Sequence, residues 1–95
     1  MRGKQRLIDR ETAETVAIQG LAFLAEEPAR LQRFLAATGL EAADIRALAE
    51  TPALMSAVLE LLAADESLLL VFAASRGIGP DSIGRAIRML QVPQP

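Results

Sequence analysis

The side chains that most often perform catalysis are scarce in this sequence. It contains no histidine and no cysteine, which removes the commonest general base, the commonest metal ligand and any thiolate or disulfide. The single lysine, Lys4, lies in a basic N-terminal segment, where a buried Schiff-base lysine is not expected. The serines have no histidine to activate them, and neither a GxSxG nor a Ser-x-x-Lys motif is present. The sequence therefore predicts a non-enzymatic protein without a cofactor or a metal site.

Two pairs of adjacent carboxylates, Glu26 with Glu27 and Asp65 with Glu66, remain as candidates for chemistry. Either pair could supply oxygen ligands to a metal ion, or an acid and a base. Neighbours in sequence point apart on a helix, however, and ligands on one face need a spacing of three or four residues. We therefore predict that these carboxylates cap helix starts and complement the helix dipole.

Segment 69–88 has the spacing of a helix-turn-helix. Ala73, Gly77 and Ile83 occupy the small, turn and inward positions that allow two helices to cross over a tight turn. These positions are structural, whereas base reading depends on the exposed start of the second helix. That start consists of glycine and proline, which have no side-chain donor for a base edge. Asp81 follows them, and its negative charge would be repelled by phosphate.

Weak, salt-sensitive DNA binding through segment 69–88 is the alternative function that the sequence leaves open. The net charge of −2 is unevenly distributed, because residues 1–10 carry four basic residues and one acidic residue. The rest of the chain is therefore acidic, and binding to nucleic acid is not the main expectation. Three arginines would contact phosphates in this alternative: Arg76, Arg85 and Arg88.

Apolar residues recur at helical spacing from Thr12 onwards, and no segment alternates with the period of a strand. The sequence predicts an all-α fold, a compact bundle of five or six short helices. Residues 1–10 are interpreted as a basic flexible arm, 11–91 as one helical domain and 92–95 as a frayed tail. No apolar run approaches the ~18 residues of a membrane span, and no signal peptide is evident, so we expect a cytoplasmic protein.

Helix boundaries are marked by repeated residue types. Proline in a first turn, a capping side chain before it and glycine after the last turn are typical of starts and stops. A shift of 38 residues aligns Phe34 with Phe72 and Gly39 with Gly77, which predicts two similar three-helix halves. The alternative is that any helical hairpin reuses the same caps. The predicted starts are at Glu27–Pro28, Thr51–Pro52, Asp65 and Pro80, and the predicted stops are Gly39 and Gly77.

The fourth and fifth helices contain more large apolar residues than one buried stripe requires. Five consecutive apolar residues, Leu68–Phe72, place the fifth helix at the centre of the bundle. Surplus apolar residues predict an exposed face that binds a protein partner or a second copy of the chain. The sequence thus favours a protein-interaction or regulatory module. The candidate interface residues are Leu54, Met55, Val58 and Leu61.

Three stretches, LAFLAEEPARLQRFLAATGL, LAADESLLLVFAA and GIGPDSI, resemble a small alphaproteobacterial family of helical proteins of unknown function. The resemblance covers residues 13 to about 88. It implies an all-α fold and a bacterial cytosolic setting, and it brings no activity, substrate or site residue. Glu27 departs slightly from the pattern, since the shorter aspartate is expected as the cap there.

Overall fold

The computed structural model describes residues 9–91, which form six helices and no strand. The prediction of an all-α bundle is confirmed. None of the six helices in this range has the length and apolar character needed to cross a bilayer. The helices are α1 (Arg10–Ala25), α2 (Pro28–Thr38), α3 (Ala42–Leu48), α4 (Pro52–Ala63), α5 (Glu66–Arg76) and α6 (Pro80–Gln91).

The start of α1 lies within the segment interpreted as a flexible arm. Arg10 is the first helical residue, and its guanidinium donates to the carbonyl oxygen of Met89 at 3.0 Å, which ties the start of α1 to the end of α6. Helix α1 therefore begins one residue before the predicted boundary, and the division into an arm, a domain and a tail stays a prediction. The arm before Asp9 and the tail 92–95 lie outside the described residues.

Side-chain caps begin three of the helices. In each case an oxygen of the residue before the helix accepts the amide hydrogen three positions on, which satisfies a donor that the helix leaves free. The predicted starts at Thr51 and Asp65 are confirmed. The bonds are Thr12 N to Asp9 at 2.8 Å, Leu54 N to Thr51 at 3.3 Å and Leu68 N to Asp65 at 3.1 Å.

The two predicted glycine stops are also confirmed. Gly39 has φ 76° and Gly77 has φ 66°, left-handed conformations that glycine adopts without a steric penalty. The predicted cap at Glu27 is wrong in one respect, because its side chain makes no capping hydrogen bond. Its carboxylate lies 3.8 Å from the guanidinium of Arg30 instead. The start of α2 depends on Pro28, which has no amide hydrogen to satisfy.

The core lies between α1, α4 and α6, and α1 and α4 each pack against four other helices. The prediction that the fifth helix is central is wrong. Helix α5 buries only Phe72 and Ala73, whereas Leu70 and Val71 are 48% and 52% exposed. Five consecutive apolar residues point to all sides of a helix. Helix α5 has its main neighbour, α4, on one side, so the other side faces solvent.

The 38-residue repeat stays a prediction. Phe34 and Phe72, which the shift aligns, are both fully buried. The third helices of the two halves differ, however, because α3 buries none of its residues while α6 buries Ile83, Ala86 and Leu90.

Helices α1 and α4 pack closely at Gly20, and Gly20→Ala is expected to lower the free energy of unfolding by about 1 kcal/mol. A Cβ there would lie 3.0 Å from Val58 Cγ1 and 3.1 Å from Leu62 Cδ1, and both neighbours are fully buried. Overpacking costs about 1–3 kcal/mol, which exceeds the ~1 kcal/mol that alanine gains in a helix. Urea unfolding measures the difference.

Gly84 in α6 provides the matched control for Gly20. A Cβ there would meet only the flexible end of Arg88, at 3.7 Å. Gly84→Ala is therefore expected to stabilise the protein by about 0.5–1 kcal/mol. Stabilisation by both substitutions would contradict the close approach of α1 and α4.

Stability is expected to fall in acid and to stay constant between neutral and mildly basic pH. Hydrogen bonds from Thr12 lower the pKa of Asp9, and those from Leu68 and then Arg33 lower the pKa of Asp65. A carboxyl group whose pKa is lowered by folding stabilises the fold above its ordinary value of 3.8, and this contribution is lost as the pH falls through the folded value. No histidine titrates near neutrality.

The melting temperature, followed by circular dichroism, measures this pH dependence. Asp9→Asn with Asp65→Asn keeps two good N-cap residues but removes both titrations. This double variant should lose less stability than the natural chain as the pH falls below 3.8. An identical acid transition in the two proteins would show that these caps do not contribute to the pH dependence.

Candidate docking groove

An apolar groove runs between α1, α2 and α3. Its volume is about 320 Å³, and every side chain that lines it is apolar. On α1 the lining residues are spaced by three and four positions, so they form a second stripe beside the one that faces the core. We call it the docking groove. Its lining residues are Ile18, Leu21, Ala22, Ala25, Leu31, Ala42 and Ile45.

Helix α3, which forms one wall of this groove, is held mainly at its ends. None of its seven residues is buried. At its start, the amide of Glu41 donates to the carboxylate of Asp44 at 2.8 Å. At its end, the hydroxyl of Thr51 donates to the carbonyl oxygen of Leu48 at 2.8 Å. The wall is thus locally well formed, and its Ile45 packs half-buried against the core although no α3 residue is fully buried.

A second groove, with a mostly apolar lining, lies at the end of α3. Its volume is about 350 Å³, and it includes Leu48, which is 37% exposed. Helix α3 therefore borders two grooves, one at Ala42 and Ile45 and the other at Leu48. The lining residues of this second groove are Thr38, Leu40, Leu48, Thr51, Ala53, Leu54 and Ala57.

A third depression, of about 580 Å³, adjoins the docking groove near the start of α1. Ile18 lines both and is 40% exposed, so the two surfaces meet at this residue. Carboxylates surround the third depression, and we call it the acidic depression. Its lining residues are Glu11, Glu14, Thr15, Ile18, Gln19, Glu50 and Met55.

The interface residues predicted from the sequence do not form an exposed face. Leu54, Met55 and Val58 are 3%, 3% and 1% exposed and pack in the core, and Leu61 is half-buried. The reason is that α1, α2, α5 and α6 pack against α4 and cover it on several sides. The sequence reasoning missed the stripe around Ile18. The apolar residues of this stripe are spaced by three and four positions on α1, outside the core stripe, and this spacing could have identified it from the sequence.

The three arginines predicted to contact phosphate are in different surroundings. Arg76 is engaged, because its guanidinium lies 2.9 Å from the carboxylate of Glu26 and 5.9 Å from the ring centre of Phe23. Arg85 and Arg88 are exposed and form no ion pair with any residue from 9 to 91. The structure therefore leaves two of the three available to an external anion.

The two carboxylate pairs have structural partners. Glu26 pairs with Arg76, and Asp65 caps α5 and accepts from Arg33 at 3.2 Å. Across residues 9–91 no three carboxylates lie together in a way that would hold a metal ion. The arrangement is that of helix caps and surface ion pairs.

Comparison with known protein families gives a match over nearly the same residues that the structure describes. The sequence model of a family described as "Protein of unknown function (DUF3572)" matches residues 10–93, which include all six helices. No curated protein and no solved structure matches the chain. The resemblance to a helical family of unknown function is confirmed, and its restriction to alphaproteobacteria stays a prediction. The chain belongs to the DUF3572 family of proteins of unknown function.

Proposed function

We propose that this protein is a non-enzymatic interaction or regulatory module, which binds a helical segment of a partner protein in the docking groove. The observation that carries the proposal is the groove itself, in which seven residues from three helices form an apolar lining without one polar side chain. The cytoplasmic setting expected from the sequence is part of the same proposal.

The apolar lining favours a helix over a small molecule. Sites for small molecules combine apolar walls with a few placed polar groups that fix the orientation of the ligand. The docking groove has no such group. An amphipathic helix needs none, because its backbone is satisfied internally and apolar side chains spaced by three and four residues anchor it. The lining residues of α1 have that same spacing.

The exposure of α3 supports the same proposal. No residue of α3 is buried, although Ile45 packs half-buried against the core, and Leu48 is 37% exposed. A partner helix lying beside Ile45 would cover this surface and add apolar contacts to α3. The outer face of α5, with Leu70 and Val71, is also exposed, but it is convex helix surface rather than a groove.

Binding of a synthetic helical peptide tests the proposal. The stretch of α1 from Glu11 to Ala25 spans about 21 Å at 1.5 Å per residue, so a peptide of about 14 residues matches it. The neutral peptide has leucine every three or four positions and alanine and glutamine elsewhere, with a fluorescent label. We expect saturable micromolar binding to the full chain by anisotropy. A peptide of the same composition with the leucines scattered is the control, and equal binding of both would contradict the proposal.

DNA binding through α6 is the second candidate function. The observation that favours it is the exposure of Arg85 and Arg88 without an ion-pair partner among residues 9–91. If it operates, the protein is retained on heparin and on duplex DNA at low salt, and Arg85→Ala with Arg88→Ala abolishes retention. Arg46→Ala, at another exposed arginine, is the control. Elution of the natural chain without retention would remove this candidate.

A further inference from the structure

We propose that the partner is a cationic amphipathic helix, with its apolar face on the docking groove and its basic end over Glu11, Glu14 and Glu50. This inference rests on the proposed function, and it adds the charge of the partner helix and the position of its charged end on the surface. It follows from the juxtaposition of the apolar groove and the acidic depression, which share one residue.

The two surfaces form one continuous track along α1. Glu11 lies seven residues before Ile18, and Ala25 lies seven residues after it, which corresponds to about 10 Å in each direction. A helix that covers the apolar half therefore extends over the acidic half if it has about four turns. Ile18, where the halves meet, would contact the middle of such a helix.

Among residues 9–91, few positive charges lie beside the carboxylates of the acidic end. The carboxylates of Glu11 and Glu50 form no ion pair with residues 9–91. Glu14 lies 3.5 Å from the guanidinium of Arg10, which also donates to the carbonyl oxygen of Met89. Counted over the described part of the chain, this end thus has three carboxylates and one nearby guanidinium, a net negative charge. The other end, around Leu31 and Ile45, has no charged lining residue.

This charge distribution selects among partner helices. A basic end gains attraction from the carboxylates, and an acidic end is repelled. Exposed charge pairs each contribute a fraction of a kcal/mol, so three of them together give a preference of roughly tenfold over a neutral helix. Because the pairs are exposed, the preference decreases at high salt.

Three labelled peptides with the same leucine stripe test the inference on the full chain. One end of the peptide carries lysines in the first, glutamines in the second and glutamates in the third. We expect the lysine peptide to bind roughly tenfold more tightly than the glutamine peptide, and the glutamate peptide to bind most weakly. High salt should bring the three affinities together. Equal affinities at low salt would overturn the inference, while binding of the glutamine peptide would leave the proposed function standing.

Substitutions in the acidic depression locate the effect. Glu11→Gln with Glu50→Gln should remove most of the preference for lysine, since only Glu14 remains, and leave the affinity of the glutamine peptide unchanged. The matched control is Glu66→Gln with Asp81→Asn, two exposed carboxylates in the first turns of other helices, which should leave the preference intact. If both double variants lower lysine-peptide binding equally, the attraction comes from net charge alone and the inference fails.

A second copy of the chain is the competing occupant of the groove. Light scattering of the protein alone, at the concentrations of the peptide assay, gives its mass. A monomer, or a dimer that the lysine peptide dissociates, agrees with the inference. A dimer whose mass is unchanged at a saturating concentration of the lysine peptide would overturn it.

Discussion

Phe72→Ala is expected to lower the free energy of unfolding by about 3–5 kcal/mol, the largest effect of any single substitution considered for this protein. Phe72 is fully buried, and its ring centre lies 5.3 Å from that of Phe23 in a tilted arrangement. Helix α5 buries only one other residue, Ala73. Removal of the ring therefore leaves a cavity and removes its contact with Phe23 on α1 at the same time.

A domain of this length is stable by about 5–15 kcal/mol in total, so the loss is a large part of its stability. Urea unfolding followed by circular dichroism measures it. Phe72→Leu, which retains most of the apolar volume, keeps the comparison measurable if the alanine variant does not fold. Val71→Ala, at the 52% exposed neighbour, should change stability by no more than about 0.5 kcal/mol. A similar loss for Phe72→Ala and Val71→Ala would contradict the packing of α5.

Ile18→Gln is expected to weaken binding of the neutral peptide by at least about tenfold, which corresponds to ~1.4 kcal/mol. Ile18 lines the docking groove and the acidic depression, and its central position is typical of residues that dominate an interface. The polar amide would have to be desolvated against an apolar helix without a hydrogen-bond partner. Glutamine adds no charge, so the change does not alter the electrostatics of the acidic end.

Val71→Gln on α5 is the matched control for Ile18→Gln. Both residues are β-branched, helical and exposed, at 52% and 40%, so the two substitutions should have similar small effects on folding. Only Ile18 lines the groove. Equal loss of peptide affinity in the two variants would show that the peptide binds apolar surface in general, and the docking groove would lose its assigned role.

The helix boundaries were predictable from the sequence because they depend on chemistry within a few residues. Thr51 and Asp65 each accept an amide hydrogen three positions on, and Gly39 and Gly77 each adopt a left-handed conformation. Neighbouring helices are not needed to make these choices. The cap at Glu27 was mispredicted because the proline that follows it already suits the first turn.

The central helix was mispredicted because burial depends on neighbours that are distant in sequence. The run Leu68–Phe72 is more continuously apolar than any stretch of α4, yet α4 buries six residues and α5 only two. In a chain that is 52% apolar, the number of apolar residues in a helix does not identify which helix is covered on all sides. For the same reason, Leu54, Met55 and Val58 were predicted to lie on the surface, whereas they lie in the core.

The docking groove could be recognised only in part from the sequence. The stripe on α1 that includes Ile18 is visible as a helical pattern. Its partners Leu31 and Ile45 come from two other helices, and only the packed structure brings them beside it. The acidic end depends on the same folding, because Glu50 is 39 positions from Glu11 in the sequence and lines the same depression.

The central claim is that the surface formed by α1, α2 and α3 binds a partner helix. Nuclear Overhauser contacts between the leucine methyl groups of the neutral peptide and the methyl groups of the full chain test this claim most directly. The groove predicts contacts to Ile18 and Ile45 and none to Leu70 or Val71. Contacts to the outer face of α5, or none to Ile18 and Ile45 at saturation, would contradict it.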